Sequence, residues 1–158
     1  MSDRLSTIVA IHIGKSKERL RAVSVVSAAP GKGLEGDRYS DGTGTFYKPN
    51  CPDREVTLIE TEALEALKRD YGIELAPSQT RRNLLTSGVS LNHLVGRIFS
   101  VGNVQLEGLR LCEPCKHLAR LTSEKVREGL VHRGGLRARV LVGGEIRAGD
   151  PIKVRTTR

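Results

Sequence analysis

The chain contains no tryptophan, only 3% aromatic residues and a single methionine among its 158 residues. Proteins that grip single-stranded nucleic acid line a basic groove with rings on which bases stack. That surface is hard to build here, so nucleic acid is a disfavoured partner. Cysteine is scarce too: three residues, an odd number, do not suggest a disulfide framework, and any important thiol is expected to work in its reduced form. The apolar stretch near the start, Ile8 to Ile13, is interrupted by His12 and is too short for a signal-peptide core or a membrane span. The expected location is therefore cytoplasmic, with no membrane partner. Low-complexity tracts, repeats of solenoid length and charge runs long enough to form a tail are also missing.

What the chain does have is charge of one sign. A formal net charge of +8 and a pI near 9.8 favour an anionic partner, such as a phosphate-bearing small molecule or an acidic surface. The balance of 38% hydrophobic and 28% charged residues is that of an ordinary globular protein. The length suits one domain over residues 1–158, large enough to bury a core without metal or disulfide staples.

Short strands dominate the pattern. In "STIVAIHIG" alternation puts Val9, Ile11 and Ile13 on one face and Ile8, Ala10 and His12 on the other. "AVSVVSA" and "EVTLIE" read as further strands. "TEALEALKRDYG" reads as a helix with Leu64, Leu67 and Tyr71 on one face, Thr61 as N-cap and Gly72 as terminator. Residues 96–111 predict a hairpin turning at Gly102 and Asn103, and "LRARVLVGGEIRAGDPIKV" predicts short strands punctuated by glycines. The fold class is mainly β with a few short helices, as a barrel or sandwich. The irregular stretch from Ser40 to Glu55 is either a flap over a site or plain surface.

Three features carry chemistry. Cys112 and Cys115 have the Cys-x-x-Cys spacing shared by zinc sites, redox dithiols and reactive thiols. A structural zinc site needs four ligands, and His117 with Cys51, His93 or His132 does not supply a second paired knuckle. A thioredoxin-like dithiol needs an alternating β/α architecture that this pattern lacks. The strand "VQLEGLRL" leads into "CKHLARLT", which would set Cys115 in the first turn of a helix, where free amides and Lys116 favour the thiolate. The alternative is that Cys115 is a small buried hydrophobe, as many free cysteines are. Cys112, at the strand end, is expected to be buried.

The other two features are arginine clusters. Arg81, Arg82 and Asn83 precede a short apolar run, and Arg133, Gly134, Gly135, Arg137 and Arg139 lead into a strand. Guanidinium groups fork onto phosphate oxygens, and paired glycines let backbone amides approach an anion. Arg137 and Arg139 also fit the polar face of a strand whose other face carries Leu136, Ala138 and Val140.

Five blocks in order, "GLEGDRY", "VTLIETEAL", "RRNLLTSGVSLNHLVGRIFSVGNVQLEG", "LCEPCKHL" and "GGLRARVLVGGEIRAGDPI", resemble the MOSC domain, found at the C-terminus of molybdenum cofactor sulfurases and as stand-alone bacterial proteins. The resemblance implies a MOSC-type β-barrel that handles sulfur or the molybdenum cofactor (molybdopterin). Cys115 matches the family's invariant cysteine, thought to ligate molybdenum or carry a persulfide. Arg81 and Asn83 match an Arg-x-Asn motif, and Gly36, Asp37 and Arg38 match a Gly-Asp-Arg motif.

Three functions follow as expectations. In the first, Cys115 ligates molybdenum while Arg81, Arg82, Arg133 and the Gly134-Gly135 amides hold the pterin phosphate, for a reductase of N-hydroxylated compounds with a redox partner. Asp37, Arg38, Asn83, Lys116 and Arg137 complete the expected cofactor-binding set. In the second, Cys115 carries sulfane sulfur received from a cysteine desulfurase. In the third, the protein is a non-catalytic module for an anion or nucleic acid.

Overall fold

The computed structural model describes residues 5–15, 19–38, 40, 54–114 and 122–155. Eleven strands occur among them. β1 (Thr7–Ile13), β2 (Arg21–Val23), β5 (Val56–Glu60), β6 (Leu84–Ser87), β7 (Ile98–Val101), β8 (Val104–Leu111), β9 (Leu136–Val142) and β11 (Ile152–Val154) form one sheet in the order β11-β7-β8-β9-β5-β6-β1-β2. β3 (Val25–Ala29), β4 (Gly33–Leu34) and β10 (Gly144–Arg147) form a second, in the order β10-β3-β4. Pairing is antiparallel except between β5 and β6. The fold is mainly β, as the pattern predicts, and barrel describes it only loosely. The large sheet is not closed: β2 and β11 are its edges, and Thr7 of β1 meets Pro151, just before β11, through an isolated bridge.

Inside the curve lie Ile11, Leu34, Val56, Leu84, Phe99 and Leu106, all fully buried. On the outer side of β5 and β6, α1 (Thr61–Tyr71) and α2 (Glu124–Gly129) cover a second cluster of Ile59, Ala63, Leu67, Leu85, Val126 and Leu130. β5 is thus covered on both faces, which explains why "VTLI" is an unbroken buried run.

Local departures from the pattern have identifiable causes. A bulge between Ile8 and Ala10 inserts Val9 as an extra residue against β6, so Val9 is exposed while Ile8, Ile11 and Ile13 are buried. "AVSVVSA" is two strands: the chain breaks at Ser24 and passes from the large sheet to the small one. The N-cap of α1 is Glu60 rather than Thr61, and its buried residues are Ala63, Ala66 and Leu67; Leu64 is half-buried and Tyr71 exposed. Gly72 does end the helix, in the left-handed conformation with φ 68°. The hairpin turns at Gly102 and Asn103 as expected, pairing Val101 with Val104.

Candidate functional site

The ends of β8 and β9, the start of β6 and the segment after β4 bring the two resemblance motifs together. Asp37, 2% exposed, accepts hydrogen bonds from the Gly14 amide (3.1 Å) and from Arg38 (3.2 Å). Arg38 also donates to the carbonyl of Arg81 (2.7 Å), so the Gly-Asp-Arg and Arg-Arg-Asn segments are tied by hydrogen bonds. Arg81 ends a short 3-10 turn (Pro77–Thr80) in the left-handed region, at φ 64°. Burial and the Arg38 guanidinium push the pKa of Arg81 down, while Asp37 pulls it up.

Arg82 and Asn83 face inward. The Arg82 guanidinium donates to three backbone carbonyls, those of Gly134 (2.7 Å), Cys112 (3.0 Å) and Thr80 (3.2 Å). It therefore straps the end of β8 and the approach to β9 onto the start of β6. Asn83 joins three strands: its side-chain oxygen accepts from the amide and the hydroxyl of Thr57 on β5 (both 3.1 Å), and its Nδ2 donates to the His12 carbonyl on β1 (3.1 Å). Both side chains are thus engaged with the scaffold.

Arg137 lies on β9 directly opposite Arg110 on β8. A bulge at Leu109, between the Gly108–Ala138 and Arg110–Arg137 pairs, sets that register. Burial is the main force lowering the Arg137 pKa; the nearby Cys112 raises it, and Arg110, Arg82 and Arg54 lower it. Like charges opposed across a ladder are unfavourable unless an anion is near. Cys112 itself is buried, 1% exposed, and its amide donates to the Gly135 carbonyl (2.7 Å). Arg139 meets Glu107 across the same ladder, the polar strand face its alternation predicts.

The glycine pair serves close packing. A Cβ at Gly135, where φ is 113°, would overlap the Leu58 carbonyl oxygen, and one at Gly134 would press on Cys112 and Pro114. The exposed Arg133 belongs to a different part of the surface, a cleft beside α1, where it acts electrostatically on Glu60 and Asp70. Cys115, Lys116, His117 and Cys51 lie outside the described residues; Pro114, which abuts Gly134, immediately precedes Cys115.

The MOSC domain family model matches residues 19–153. The chain belongs to the MOSC domain family. No curated protein matches it. Among solved structures, the MOSC domain is similar to the YuaD protein of Bacillus subtilis (15% identity, TM-score 0.81, 98% of each chain covered). It is also similar to YiiM of Geobacillus stearothermophilus (19%, TM-score 0.74, 96% of this chain and 75% of that one) and YiiM of Escherichia coli (19%, TM-score 0.66, 94% and 70%). At these identities the likeness is one of fold.

Two arginines of the MOSC domain escape a reading by motif. Arg54 sits at the edge of the irregular stretch, and Arg110 joins Arg137 only through strand pairing. A signal for Arg110 exists in retrospect: Gly108-Leu109-Arg110 and Gly135-Leu136-Arg137 are matching triplets on the two paired strands.

Proposed function

We propose that this MOSC domain binds the molybdenum cofactor, with Cys115 as the thiolate ligand of molybdenum and the arginines at the ends of β8 and β9 as the phosphate site. The observation that carries this reading is the opposed pair Arg110 and Arg137, close to Arg82, Arg54 and Cys112, in the part of the fold from which the Cys-Glu-Pro-Cys segment departs. Neighbouring guanidinium groups hold a bound phosphate by forked hydrogen bonds. The donor set fits a group that combines a soft metal with an anionic tail: thiolate for the one, guanidinium for the other.

The chain's own residues divide the work. Arg110, Arg137 and Arg81 receive the anion. Arg82 and Asn83 act as positioning residues, because their polar atoms bind the backbone that frames the site. Asp37 holds Arg38, which in turn fixes the Arg81 carbonyl. The cationic surroundings also favour the ionised form of a neighbouring thiol. The bound cofactor would supply two-electron redox chemistry, in keeping with reduction of an N-hydroxylated compound.

The test is elemental analysis of protein purified from a host that makes the cofactor. Near-stoichiometric molybdenum is expected in the wild type, with loss in Cys115→Ala and a marked fall in the Arg110→Ala/Arg137→Ala double variant. Retention of molybdenum by Cys115→Ala would overturn the ligand assignment. Gain of one sulfur atom on Cys115 after incubation with a cysteine desulfurase, in protein that takes up no molybdenum, would favour the sulfur-carrier function instead.

A further inference from the structure

A cleft of about 410 Å³ opens beside the start of α1, its lining mixing the carboxylates Glu60 and Glu62 with Arg69, His93, His132 and Arg133. Its size lies in the range of small-molecule sites. Both carboxylates are fixed by backbone amides. Glu60 accepts from the Leu91 amide (3.1 Å) and Glu62 from the Gly88 amide (2.9 Å), so neither is a freely swinging surface acid.

The turn at His132 is also held. Glu113 accepts from the His132 amide (2.7 Å) and meets the His132 ring nitrogen Nδ1 (2.9 Å), while Asn92 donates to the His132 carbonyl (2.9 Å). His132 itself adopts φ 61°, a left-handed conformation uncommon for a residue with a side chain. The Asn92 bond ties the turn carrying Arg133 to the segment carrying His93. A cleft fixed in this way loses little entropy when a ligand enters.

We propose that this cleft binds a small zwitterion of the amino-acid type, its ammonium group received by Glu60 and its carboxylate by Arg133 and His93. A simple cation would have to face Arg69 and Arg133, and a simple anion would have to face the two glutamates; a molecule carrying both charges satisfies both kinds of lining group. Arg133 and His93 lie near enough to Glu60 to draw its pKa back down against burial, which is the dominant effect and raises it. Glu60, His93 and Arg133 line one small cleft, which suits a ligand whose two charges sit close together, as they do on one α-carbon. A metal ion fits less well, since among the described residues no group of three or more His, Cys, Asp or Glu has a ligating arrangement. The remaining volume, bordered by Ala63 and Ala66, leaves room for a side chain. This inference does not depend on molybdenum or on Cys115.

The test uses the full chain and two-dimensional amide NMR. The common amino acids are titrated singly, and at least one is expected to give saturable shifts centred on Gly88, Leu91 and His132. For the tightest binder, the Nα-acetyl derivative removes the ammonium charge and the decarboxylated amine removes the carboxylate. Each should bind at least about tenfold more weakly, as should the intact amino acid to Arg133→Ala and to Glu60→Gln. Arg133 is exposed, so its variant keeps the test valid if Glu60→Gln unfolds. Absence of saturable shifts with every amino acid would overturn the proposal, as would equal binding of the charge-deleted derivatives or undiminished binding to Arg133→Ala.

Discussion

The ends of β8 and β9 and the cleft beside α1 are both rich in charged side chains, yet they handle charge in opposite ways. At the first, Arg110 faces Arg137 across the ladder, with Arg54 and Arg82 near, and Asp37 acts on Arg81. At the second, Glu60 and Glu62 stand against Arg133 and His93. An arginine's neighbours, more than its sequence motif, therefore decide what it can bind. Arg133 and Arg137 are four residues apart and serve different surfaces because the Gly134-Gly135 approach to β9 lies between them.

Substitutions can break this contrast, beginning with the arginine that binds neither kind of ligand. Arg82→Ala would leave the carbonyls of Gly134, Cys112 and Thr80 without their donor, and a loss of about 3 kcal/mol in urea denaturation is expected at roughly 1 kcal/mol per buried bond. Arg82→Lys should recover only part of that, because one ammonium cannot reproduce the planar fork. Arg110→Ala should weaken inorganic pyrophosphate binding about tenfold by calorimetry. Arg133→Ala should leave that affinity unchanged.

The smallest expected effect is on titration. Burial raises the Glu60 pKa above its ordinary value, so the folded state favours the protonated acid. Glu60 then contributes stability at acid pH that is lost as pH rises from the ordinary carboxylate value through the elevated folded one. The melting temperature of Glu60→Gln should therefore gain on that of wild type across this window. Arg133→Ala, which removes an opposing cation, should move the Glu60 pKa further up in a carboxyl NMR titration, and Arg110→Ala should not move it. An equal response to both would erase the distinction between the two regions.

Much of the strand pattern is legible in the sequence, because alternation and glycine turns are local signals. The Gly102-Asn103 hairpin, the alternation along β9 and the stop at Gly72 all follow from residues within a few positions. What depends on pairing is not legible. The bulge at Val9 and the break at Ser24 are set by which strands meet, and the same holds for the Leu109 bulge that brings Arg110 opposite Arg137. At the candidate site, the sequence singles out Arg81, Arg82 and Asn83 as a group. It cannot show that Arg82 and Asn83 have their polar atoms turned onto the scaffold, since the carbonyls they bind come from residues 12, 112 and 134. The cleft beside α1 draws its lining from three separate segments, so no one stretch of sequence displays it.

The bridge between Thr7 and Pro151 brings the first strand and the start of the last side by side: the Ile8 amide donates to the Asp150 carbonyl (2.9 Å) and the Ile152 amide to that of Ser6 (2.8 Å). A short linker could join them, and new termini could be cut at the Gly102-Asn103 turn, giving a circular permutant with the same strand order.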